Sequence, residues 1–171
     1  MLNLTMRNFK LFFRDRGSVF FSLLSAIIIL ALYIFVLGDS MVSDLDGISG
    51  AKNIMDNWIM AGLLAATSIT AAMGAYGIMI NDKERKTTKD FLSSPIKRYT
   101  VYGSYILNAI LVSLIICVIT FILAQIYIVG INHGEMLSLV DMFKVIGILA
   151  LGVFCSSSIA CFLSSFAKTN S

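Results

Sequence analysis

Apolar residues fill four long stretches of the chain, at about 18–37, 58–80, 103–129 and 143–166, and the charges are pushed into the segments between them. An α-helix rising ~1.5 Å per residue needs about twenty residues to cross a hydrocarbon core ~30 Å thick. All four stretches reach that length. The first, SVFFSLLSAIIILALYIFVL, carries no charge at all. The third reaches ~40 Å and must tilt or protrude. A different pattern precedes the first stretch. Leu2, Met6, Phe9 and Phe13 fall on one helical stripe, and Asn3, Arg7, Lys10 and Arg14 on the next. That spacing predicts a basic amphipathic helix over 2–16, suited to the membrane interface, with Gly17 allowing the turn into the bilayer. The pattern as a whole predicts an all-α membrane protein: an N-terminal interfacial amphipathic helix followed by four transmembrane helices, forming one transmembrane domain over 1–171.

Within the stretches, small residues recur. Gly62 and Ala66 are four apart, and Thr67, Ala71 and Ala75 continue the stripe. Gly152, Ser156, Ala160 and Ser164 repeat in the same way in the fourth stretch. Such faces let helix backbones approach closely in lipid, and packing is their plain reading. Lining a pathway is the functional alternative for Gly62, Ala66, Thr67, Gly152, Ser156 and Ala160. The serines at 156–158 can bond across helices or to their own i−4 carbonyls. Tyr99, Tyr102, Tyr105 and Tyr127 bracket the third stretch as interfacial aromatics would.

Composition agrees with the pattern. Hydrophobic residues make up 58% of the chain and charged residues 13%, against about 25% charged in an ordinary soluble domain. The net charge of +3 is too small and too divided for nucleic-acid binding, but its distribution sets topology. Arg7, Lys10, Arg14 and Arg16 lie before the first span, and one lysine, Lys52, lies in 38–57. Six basic residues lie in 81–98, none in 130–142, and Lys168 follows the last span. Basic residues concentrate in cytoplasmic loops. The termini and the 81–98 loop are therefore expected in the cytoplasm.

Few residues invite chemistry. Cys117, Cys155 and Cys161 sit inside apolar runs without ligand spacing, and the single histidine, His133, lies in a short loop beside Glu135. No nucleophile elbow, zinc-protease motif or phosphate-wrapping glycine loop is present. The chain is not expected to be an enzyme or to hold a cofactor or metal. No span carries a charge at its middle, which argues against a self-sufficient proton-driven pump. Asp141 and Lys144, three apart, can pair on one helix face.

The loop 81–98, NDKERKTTKDFLSSPIKR, stands apart, with nine charged residues among eighteen and an apolar cluster of Phe91, Leu92, Pro95 and Ile96. Asp82 to about Leu92 can form a short helix with Asn81 as its N-cap and Glu84 in its first turn, broken before Pro95. A charged helix with an apolar knob suits docking of a cytoplasmic partner protein, through Asp82, Glu84, Arg85, Lys89, Phe91, Leu92, Pro95 and Arg98. Anchoring on anionic lipid through Lys and Arg is the alternative.

From Gly77 to Tyr105 the stretch GIMINDKERKTTKDFLSSPIKRYTVYGSY resembles the membrane subunit of ABC-2-type transporters, the permease class of ATP-binding-cassette exporters. Glu84-Arg85, Phe91-Leu92, Ser94-Pro95 and Lys97-Arg98 match the family's loop pattern, and RNFKLFFRDRGSVFFSLL from Arg7 is similar to its interfacial elbow helix. The resemblance implies a permease that works with a cytoplasmic ATPase subunit, which binds the ATP and Mg, and with a second permease subunit as homodimer or heterodimer. It also implies a plasma-membrane location and a substrate such as a drug, an antibiotic or a lipid. Family domains generally have six spans, so the four counted here are expected to be an incomplete domain. A membrane scaffold or regulatory subunit that docks a partner through 81–98, without transporting, is the competing reading. A channel, a third, predicts ion flux without ATP.

Overall fold

The computed structural model describes residues 1–32, 35, 51–87, 91, 93, 97–130 and 138–166. These are helical almost throughout: α1 Leu2–Arg14, α2 Arg16–Leu32, α3 Ala51–Glu84, α4 Arg98–Gly130 and α5 Leu139–Phe166. Among the described residues three helices are long and apolar enough to cross a membrane, and four if α1 and α2 count together as one bent span. The protein is therefore an all-α, multi-pass membrane protein. His133, Glu135, Lys168 and most of the segment 38–57 lie outside the described residues.

The helices run past the ends of the apolar stretches. With 34 and 33 residues, α3 and α4 are each about 50 Å long, well beyond a ~30 Å core. The extra turns arise because backbone hydrogen bonding does not stop where side chains turn polar. The clearest case is Asn81. Instead of capping a new helix, it sits in the last turn of α3, where its carbonyl accepts from the Arg85 N–H at 3.0 Å. The break comes later, at Lys86, whose φ of 60° is left-handed and whose N–H closes the helix onto the Lys83 carbonyl at 3.1 Å. Glu84 is thus the end of α3 rather than the start of a separate helix.

The elbow also forms differently from the pattern reading. Between α1 and α2 the chain bends by 72°. The turn is made at Asp15, not Gly17. Asp15 is extended (φ −81°, ψ 93°) and its N–H bonds back to the Leu11 and Phe12 carbonyls. Its carboxylate accepts from the Gly17 N–H at 3.1 Å and the Ser18 hydroxyl at 2.6 Å. One aspartate therefore ends α1 and caps α2, whose first N–H groups have no intrahelical partner. The Ser18 hydroxyl, with both backbone N–H groups, holds the Asp15 carboxyl below its usual range.

α3 is the centre of the bundle, packed most extensively on α4 and then on α5 and α2. One apolar cluster joins Phe12 of α1, Ala71, Ala72, Ala75 and Tyr76 of α3, Tyr105, Ala109 and Val112 of α4, and Ala160 of α5. A second, toward the other end, joins Ala26, Met60, Leu63, Leu64, Phe121, Ala124 and Ile128. The inward face of α3 thus takes in Thr67, Ala71 and Ala75 of the small-residue stripe but not its first members. Gly62 is exposed and a Cβ built there meets nothing within 4 Å; Ala66 is half-buried; Thr67 is fully buried and donates to the Leu63 carbonyl at 2.7 Å. A residue without a side chain has nothing to bury, so Leu63 and Leu64 set the rotation. The close approach falls at Gly74, where a Cβ would lie 2.8 Å from the Ser22 Oγ of α2 and 3.6 Å from the Phe12 ring.

Candidate functional site

The densest polar chemistry lies where α1 crosses the ends of α3 and α4. α1 turns Thr5, Asn8 and Phe12 inward, leaving Leu2 and Met6 exposed. Phe9 and Phe13, half-buried, stack at 4.8 Å against the core, while Lys10 and Arg14 stay exposed. Arg7, on the edge of the buried face, donates from both ends of its fork to Asp82, at 2.8 and 3.1 Å. The Tyr105 hydroxyl donates to the same carboxylate at 2.7 Å. Arg7 also donates to the Asn8 side-chain Oδ1 at 3.0 Å, and the Asn8 side-chain Nδ2 donates to the Ser104 hydroxyl at 3.5 Å. The guanidinium lies 5.2 Å from the centre of the Phe91 ring. A bidentate Arg–carboxylate pair with an aromatic beside the cation is strong and directional. The Asp82 hydrogen bonds raise the Arg7 guanidinium above its already high ordinary value, so its charge is permanent.

This node sorts the residues singled out in the sequence. Asp82 is only 6% exposed, and its carboxylate is occupied by α1 and α4, so it holds the fold together from within. Phe91 is half-buried beside Arg7. Glu84, Arg85 and Arg98 are exposed. Lys89, Leu92 and Pro95 lie outside the described residues. Of the tyrosines read as interfacial, Tyr99 and Tyr102 are exposed, whereas Tyr105 is buried in the node. The Arg7–Asp82 pairing joins residues 75 apart, and only the proximity of a buried acid and a basic helix could have hinted at it.

Deeper in the bundle, serines cross-link the helices. Ser68 and Ser156 bond at 2.7 Å, Tyr76 and Ser157 at 3.4 Å, and Ser25 and Thr70 at 3.2 Å; Ser158 instead bonds its own i−4 carbonyl, of Phe154. Ser156 and Ala160 are buried, while Gly152 is exposed on the wall of an apolar cavity of about 260 Å³ between α3 and α5. Ser68 reaches that cavity, with Leu64, Phe121 and Leu149. α4 contributes polar groups that pattern reading passed over. The side chains of Asn108, Ser113 and Thr120 are fully buried without a hydrogen-bond partner among the described residues. Near the start of α5 Lys144 and Asp141 pair at 2.8 Å, exposed on both sides.

A model of the ABC-2 type transporter family matches residues 1–170. The chain belongs to the ABC-2 type transporter family. Neither a curated relative nor a solved structure matches it. As an ABC-2 permease, the chain is a membrane domain that does not itself hydrolyse nucleotide, of a kind that generally pairs with a cytoplasmic ATPase subunit. Among the described residues no group of His, Cys, Asp and Glu could hold a metal ion.

Proposed function

We propose that this ABC-2 permease is the membrane part of an exporter, converting ATP hydrolysis by a separate cytoplasmic subunit into movement of a substrate across the plasma membrane. The observation that carries the reading is the Arg7 node. It binds α1, the end of α3, the base of α4 and Phe91 into one unit, beside the exposed Glu84, Arg85 and Lys86. A push on those charges is delivered to three helices at once rather than dissipated in a loop. In this reading α1 lies at the cytoplasmic interface, both described ends face the cytoplasm, and a second permease subunit completes the assembly. Glu84, Arg85 and Arg98 meet the ATPase, together with Lys89, Leu92 and Pro95, while Asp82 and Phe91 transmit from behind. ATP and Mg belong to the partner.

The test replaces Glu84 with Ala and Arg85 with Glu, both exposed and outside the node. Recovery of the ATPase subunit with the purified permease should fall about tenfold or more, as when charges at an interface are removed or reversed. Membrane insertion should not change. Undiminished recovery of the ATPase would overturn the docking assignment.

A further inference from the structure

Lys10 and Arg14 stand four apart on α1, exposed, and neither has a carboxylate partner among the described residues. With Arg7 they line a surface groove of about 460 Å³, completed by Asn3, Met6 and Leu11. No acid lines it. The Arg7 charge is already balanced by Asp82. The acid next in the chain, Asp15, is turned onto the Gly17 N–H and the Ser18 hydroxyl at the start of α2. Among the described residues the groove therefore keeps two uncompensated cations, with the Asn3 amide on the same helix able to donate.

We infer that this groove is a binding site for the phosphate headgroup of an anionic bilayer phospholipid. Charge alone would suit any anion, and the apolar surroundings select a lipid. Leu2 and Met6 are 77% and 55% exposed on the same helix, and Phe20 and Phe21 are exposed just past the elbow. A soluble phosphate or an acidic protein surface would leave these side chains in water, whereas a phosphodiester with acyl chains covers them while its oxygens meet Lys10 and Arg14. The lipid would hold α1 at the height at which Arg7 meets Asp82, so headgroup charge would act on the same node that carries the proposed coupling. The inference rests on the interfacial placement of α1.

The test uses the full chain in lipid nanodiscs of phosphatidylcholine with graded phosphatidylglycerol, and counts retained phosphatidylglycerol by native mass spectrometry. One cation near an anionic surface is worth roughly fivefold in affinity, so Lys10→Gln with Arg14→Gln should weaken retention by about thirtyfold. Lys10→Arg with Arg14→Lys should restore it. Inorganic phosphate at millimolar concentration should not displace the lipid. Equal retention by the glutamine variant would overturn the inference. So would displacement by phosphate. A Met6→Trp probe, placed on Trp58→Phe, separates the two readings. Its quenching by brominated lipid with no headgroup preference overturns the lipid site alone. No quenching overturns the interfacial placement as well.

Discussion

Arg7 is the residue on which most of the basic end of the bundle depends. Replacing it with Ala takes the cation from the Asp82 carboxylate, which is 8% exposed in the intact pair, and should destabilise by about 2–3 kcal/mol, less than the ~3–5 of a fully buried pair because Arg7 is itself 34% exposed. Thermal unfolding in detergent should show that loss for Arg7→Ala. The double variant Arg7→Met with Asp82→Leu should recover most of it, and a double-mutant cycle with no coupling would dismiss the pair as structural glue. Asn108 poses the opposite case. Its buried amide has no partner among the described residues, so exchange for an apolar side chain of similar size removes a penalty of about 1–3 kcal/mol. Asn108→Leu should therefore raise the unfolding temperature, and a fall would mean that the amide is satisfied. At this scale the sequence was partly opaque. It shows Asn108 and Tyr105 inside an apolar run, but only packing shows which has a partner.

At the scale of elements, the crossing of α2 over α3 is set by one missing side chain. A Cβ at Gly74 would lie 2.8 Å from the Ser22 hydroxyl, which is itself bonded to the Ser18 carbonyl at 2.8 Å. Gly74→Ala should consequently destabilise the chain, whereas Gly62→Ala and Gly152→Ala meet no atom within 4 Å and should be neutral or gain up to about 1 kcal/mol of helix propensity. The three unfolding temperatures compared side by side settle whether close approach lies at Gly74 or along the stripe that spacing alone suggested. Helix existence was legible in the hydropathy of each stretch. The rotation of each helix was not, because an apolar run with lipid outside and protein inside has little periodicity to mark its buried side.

At the scale of the molecule, α1, Asp82, Tyr105 and Phe91 gather at one end of the bundle, while Met60, Phe121 and Ile128 pack toward the other and Asp141 and Lys144 pair near the start of α5. If the basic end is cytoplasmic, a cysteine placed at Lys86 should react with a membrane-impermeant maleimide only in inverted vesicles, and one at Asp141 only in intact cells. Labelling of Lys86→Cys from outside would reverse the orientation.

The sequence by itself determined the class of protein: uncharged stretches of twenty or more residues can satisfy their backbone in lipid only as helices, and the motifs around 77–105 resemble those of the permease family to which the chain belongs. Only the tertiary structure decided that Asp82 faces inward to Arg7 and Tyr105, that α3 continues through Asn81, and that Asp15 rather than Gly17 makes the elbow. The physical reason is common to all three. Hydropathy reports where a segment prefers to be, whereas ion pairs, caps and helix ends depend on which groups from distant parts of the chain arrive within about 3 Å of one another.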